Sequence, residues 1–183
     1  MARGIAGALL LARGRAAGAA AFAPTMEDAR ASFLAALFCL PLFLLMRGLA
    51  GPETPPETDA LRALAADLLA YACSWPAFAL ASIPIVEAMG RKALWPRFIA
   101  AWNWVNLVQY VVITLLTVPV LFGLPATVAD TLGLLGLGYA VWLQWFAARA
   151  TLGISGLRAA GFVALDFGIA LFLSGLAVRL GAG

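Results

Sequence analysis

Asp166 is the residue of this 183-residue chain best placed to do chemistry, because it lies inside the almost wholly apolar run from Ala159 to Val178. It stands eight residues beyond Arg158, about 12 Å along a helix. Inside a bilayer a carboxylate costs about 2.5 to 3.5 kcal/mol unless it is protonated, paired or facing water. It must therefore point into a helix bundle. There it serves either as a proton or cation relay or as a hydrogen bond that fixes helix register. Candidate partners lie upstream: at about 100° per residue, Asn103, Asn106, Tyr110, Thr114 and Thr117 share one helical sector. Measured from Arg97, Asn103 and Asn106 lie about 9 and 13.5 Å deep, close to the depth of Asp166. The match predicts that a carboxamide of Asn103 or Asn106 donates to Asp166.

Other chemistry lacks its parts. The chain has no histidine, two cysteines and one lysine, so no metal set, metal centre or cofactor is expected. Gly153-Ile154-Ser155-Gly156 misses the nucleophile-elbow spacing and has no base to activate the serine. Cys39 and Cys73 fall in separate apolar runs and read as packing residues. Gly133, Gly136 and Gly138 fail as a phosphate loop because no lysine accompanies them, and read instead as a place where another helix backbone approaches closely. Glu87 and Arg91 have the four-residue spacing of a helix ion pair; Asp67 follows Arg62 near the far end of the same run.

The elements that must position these residues follow from composition. Apolar residues make up 64% of the chain and charged ones 11%, with a net charge of +3. Soluble domains are about 25% charged, and disorder requires low hydrophobicity with high net charge. An integral membrane protein remains. A span needs about 20 mostly apolar residues, and five windows meet that need: Ala31 to Met46, Leu68 to Val86, Phe98 to Leu121, Leu132 to Ala148 and Ala159 to Val178. Thr25 and Asp28 form a capping box that starts the first helix near Met26. Breakers at Gly51, Pro52, Pro55, Pro56, Gly90, Pro96, Gly123, Pro125, Gly153 and Gly156 separate the windows. The reading is an all-α polytopic bundle of five spans, a single transmembrane domain over residues 25–183. Five spans do not divide into two equal repeats, and the prolines Pro41, Pro76, Pro84 and Pro119 do not recur in equivalent places, which argues against a repeat-built pump.

Positive charge sets the direction of threading. Arg3, Arg13, Arg15, Arg30, Arg91, Lys92, Arg97, Arg149 and Arg158 fall on one side, and Arg47, Arg62 and Arg179 on the other. The N-terminus is expected in the cytoplasm and the C-terminus in the periplasm, with Glu53, Glu57, Asp59 and Asp130 outside. Residues 1 to 24 have the look of a cleaved leader, but Arg13 and Arg15 interrupt the apolar stretch. Because Arg3, Arg13 and Arg15 share no helical face, the segment is expected to lie on the cytoplasmic membrane surface with its arginines in the headgroups. Trp95, Trp102, Trp104, Trp142 and Trp145 gather towards that side and read as interfacial anchors; Trp75 does not. The sequence pI of about 9.3 reflects this topology, so no nucleic-acid partner is expected.

Ser32-Phe33 before the first window, Pro96-Arg97-Phe98 leading to Asn103-Trp104, and Asp166 in the last span resemble a group of alphaproteobacterial five-span inner-membrane proteins. The layout is also similar to that of the Ypt-interacting (Yip) membrane proteins, whose role in trafficking and scaffolding rests on helix contacts. Eleven arginines to one lysine suit a GC-rich bacterial genome. The function expected is a non-enzymatic accessory, assembly or scaffold subunit of the bacterial inner membrane, its partners the lipid bilayer and other membrane proteins or copies of itself. The alternative is a small oligomeric proton-coupled transporter or channel using Asp166.

Overall fold

The computed structural model of the chain describes residues 1–50 and 59–182. Gly51, Pro52, Pro55, Pro56, Glu53 and Glu57 lie outside the described residues. Seven α-helices occur among the described residues, and no strand: α1 (Ala2–Ala12), α2 (Met26–Ser32), α3 (Leu34–Ala50), α4 (Ala60–Ala88), α5 (Trp95–Thr117), α6 (Ala126–Leu152) and α7 (Gly156–Ala182). Five stretches are long and apolar enough to cross a bilayer: Met26–Leu49, Ala60–Ala88, Lys92–Thr117, Thr127–Leu152 and Gly156–Gly181. They contain the five expected windows or most of each, and run longer than most of them.

Local chemistry explains the boundaries. The Thr25 Oγ1 atom accepts from the Asp28 N–H at 3.3 Å, and Asp28 turns back to accept from the Ala23 N–H at 2.9 Å. The cap therefore reaches two residues further upstream than the usual box, to Ala23 rather than to Thr25 itself. Helix α4 starts eight residues before the expected Leu68, capped by Asp59, whose Oδ1 accepts from the Leu61 N–H at 2.9 Å. It ends in a Schellman turn: the Gly90 N–H bonds to Glu87 O at 2.9 Å and the Arg91 N–H to Val86 O at 3.0 Å. Gly90 supplies the φ of +68° this turn needs.

Helix α5 is the centre of the bundle. Every residue from Phe98 to Val105 is buried, because α1, α2, α3 and α6 all pack on it. Ala100 and Ala101 let neighbours close in, while Phe98 and Trp102 fill the space towards α4 and α7. The Phe78 and Trp102 rings stack with centroids 4.3 Å apart, and Phe162 of α7 meets Phe98 at 5.0 Å. Helix α4 has its most extensive packing with α7, and α7 also leans on α6.

Residues 1 to 24 are held against one end of this bundle. Gly4, Gly7, Ala8 and Leu11 form the buried face of α1, at helical spacing but with Leu11 its only large side chain, so it does not register as an apolar stripe. A Cβ at Gly4 would lie 2.5 Å from Trp104 Nε1, and one at Gly18 would lie 2.5 Å from Gly7 O. Arg97 Nε donates to Phe22 O at 3.0 Å and Tyr139 OH to Ala12 O at 3.0 Å, tying the segment to α5 and α6.

Candidate functional site

A cavity of about 350 Å³ lies between α4, α5, α6 and α7. Asp166 lines it from α7, Asn103, Asn106 and Tyr110 from α5, and Gln144 from α6. The bond that organises it runs from Gln144, whose Nε2 donates to Asp166 Oδ2 at 2.8 Å and, at a longer 3.4 Å, to Asn106 Oδ1. One carboxamide thus links three helices. Trp102 closes the wall; its indole Nε1 is buried and has no hydrogen-bond partner among the described residues.

The expected donor to Asp166 was therefore the wrong amide. Asn103 Nδ2 instead donates to Ser32 Oγ at 2.9 Å, because the start of the first span packs against that side of α5. Asn106 acts as an acceptor from Gln144 rather than as the donor. The rest of the α5 stripe disperses. Tyr110 lines the cavity, Thr117 Oγ1 donates within its own helix to Ile113 O at 2.9 Å, and Thr114 Oγ1 is buried without a partner among the described residues. Sequence reasoning missed both glutamines of the chain. Gln109 Nε2 donates across to Ala140 O at 2.7 Å. Long amides inside apolar windows were the available signal, since such groups must find partners there.

A second cavity, of about 420 Å³, adjoins the first and shares Met46, Ser74, Tyr110 and Ala170 with it. It runs between α3 and the α4–α7 pair towards an ion pair in which Arg47 Nε donates to Asp67 Oδ2. The two side chains are 31% and 33% exposed, so this end reaches the surface. Arg47 rather than Arg62 is the partner of Asp67. Glu87 likewise pairs with Lys92, at 2.7 Å, and not with Arg91. The helix has already ended at Ala88, so four-residue spacing no longer brings side chains together.

The tryptophans divide. Trp102 and Trp104 are buried at 1% and 5% exposure, core residues and not interfacial anchors, because both belong to the enclosed stretch of α5. Trp95 Nε1 donates to Ser82 Oγ and Trp145 Nε1 to Gly156 O, each at 2.9 Å, while Trp142 is exposed. Of the expected packing glycines, Gly136 faces α5, where an added Cβ would meet Leu116 Cδ1 at 3.3 Å; Gly133 and Gly138 face open space. Cys39 is buried and Cys73 exposed.

The chain matches no protein-family model, no curated protein and no solved structure.

Proposed function

We propose that this chain is a multi-pass protein of the bacterial inner membrane, N-terminus in the cytoplasm and C-terminus in the periplasm. In this reading it is a non-enzymatic accessory, assembly or scaffold subunit that packs against other membrane helices. The observation that carries the reading is the uncovered face of α7. Only 11% of its apolar window is buried. Gly161, Gly168 and Gly175 recur there at seven-residue spacing, each with nothing within 4 Å of where a Cβ would be. Small residues at a heptad period let a second helix approach closely in lipid, where dispersion and not water release drives association. The excess of arginine at the end that carries α1 supports the orientation.

The test is a cross-link in native membranes. Gly168→Cys, in a background of Cys39→Ala and Cys73→Ala, should on oxidation yield a covalent species larger than the monomer. Monomer alone, from Gly161→Cys and Gly175→Cys as well, overturns the reading. A second reading, proton-coupled transport by an oligomer, is supported by the cavity beside Asp166. Asp166→Asn keeps an amide that can hydrogen-bond, so it should preserve assembly but abolish proton-driven flux if that reading holds.

A further inference from the structure

We propose that the paired cavities form a binding site for an organic ammonium ion that carries an oxygen acceptor and a short apolar tail. The ammonium sits on Asp166, the oxygen meets the Trp102 N–H, and the tail lies in the adjoining cavity between α3 and α7. Binding there is independent of both functional readings above.

Three observations on the two cavities converge. The first is charge. Arg47 is the one basic residue that lines either cavity, and it is engaged by Asp67. Asp166 has a single amide hydrogen bond, from Gln144, and no basic neighbour among the described residues. A carboxylate at this depth must be protonated, paired or facing water, and no basic side chain among the described residues pairs with it; an ammonium ligand would supply that pairing. The second is the wall. Trp75, Phe78, Trp102 and Tyr110 line the same cavity as Asp166, and aromatic surfaces favour ammonium over water-loving inorganic cations. The third is Trp102 Nε1, a donor on a residue only 1% exposed that stands beside the Asp166 carboxylate but makes no well-formed hydrogen bond among the described residues. An unsatisfied buried donor costs about 1 to 3 kcal/mol, which an oxygen on the ligand would recover.

Shape agrees with the tail. Phe43, Met46, Leu173 and Val178 line the second cavity, which adjoins the first at Ser74 and Tyr110. Volumes of about 350 and 420 Å³ fall in the range that small-molecule sites occupy. A simple inorganic cation would leave most of this space and all of its apolar wall unused.

Hexanoylcholine is a direct probe, since it joins a quaternary ammonium, an ester oxygen and a six-carbon chain. Its uncharged carbon isostere is 3,3-dimethylbutyl hexanoate. With the full chain in phosphatidylglycerol nanodiscs, hexanoylcholine should bind saturably and at least about tenfold more tightly than the isostere, read from tryptophan fluorescence or a radiolabel. Asp166→Asn should erase that preference. Trp102→Phe, which keeps a ring and removes the N–H, should weaken hexanoylcholine more than hexyltrimethylammonium, which has no oxygen. Equal binding of the charged probe and its isostere overturns the proposal, as does unchanged hexanoylcholine affinity in Asp166→Asn. Should that variant fail to elute as folded protein, the comparison on the unaltered chain decides alone. Phosphatidylethanolamine added to the discs separates the sources: competition with the probe assigns the site to a lipid headgroup, and its absence to a free amphiphile.

Discussion

Gln144 Nε2 lies 2.8 Å from Asp166 Oδ2 and joins α6 to α7 in the apolar middle of the bundle. The pair makes a measurable statement about stability. In lipid, polar bonds between helices average about 0.6 kcal/mol and reach about 1.7. A double-mutant cycle of Gln144→Leu and Asp166→Leu, followed by unfolding in mixed micelles, should return a favourable coupling in that range. Zero coupling would mean that water or lipid serves Asp166 as well as Gln144 does.

Asn103 and Ser32 form the other buried polar link, with Ser32 Oγ also donating to Ala29 O at 2.6 Å. Ser32→Ala should cost about 1 to 3 kcal/mol, because it strands the Asn103 amide. The double variant with Asn103→Leu should lose less than the two single losses added together, since neither group is then left unsatisfied. Strict additivity would show that the two side chains do not depend on each other.

Gly18→Ala tests the docking of the N-terminal segment. The new methyl would meet a backbone carbonyl, Gly7 O, at 2.5 Å, and backbone cannot step aside as a side chain does. Amide exchange over Ala2–Ala12 should rise by an order of magnitude or more, about 1.4 kcal/mol of lost protection per tenfold. Gly161→Ala, facing open space, is the control and should leave exchange in α1 unchanged.

The Glu87–Lys92 pair should matter little. Its side chains are 54% and 68% exposed, and exposed pairs contribute about 0 to 1 kcal/mol. Glu87→Gln should shift the unfolding midpoint less than Ser32→Ala does. A larger shift would indicate that Glu87 has a task beyond its ion pair.

The five apolar helices were legible because long hydrophobic windows and proline or glycine breakers are coarse signals, and Thr25 marked the first start correctly. What stayed hidden depended on neighbours far along the chain. The start of α4 was placed late because Arg62 and Asp67 look like loop residues until Arg47, 20 residues upstream of Asp67, supplies the opposing charge. Trp102 and Trp104 resemble interfacial anchors until four other helices enclose α5. The buried face of α1 is Gly4, Gly7, Ala8 and one leucine, Leu11, and a single large apolar residue is too little to announce a docking surface. In the cavity, the depths of Asn103 and Asp166 agreed, but depth alone does not say which faces meet. Gln144, flanked by Trp142 and Trp145, was overlooked as one polar residue in an apolar window.

The partnership of α4 with α7 also bears on how the molecule is made. During synthesis α4 emerges three long helices before its main neighbour, and in the meantime it touches α5 only lightly. Until then it is held by side-chain links, among them the Arg47–Asp67 ion pair and the Tyr71 OH bond to Ala36 O on the α3 side and the Phe78–Trp102 stack on the α5 side, its Pro76 and Pro84 open to bending. Helix α7 is then the one that locks an earlier helix in place, so a nascent chain halted before Gly156 should be a ready substrate for proteases.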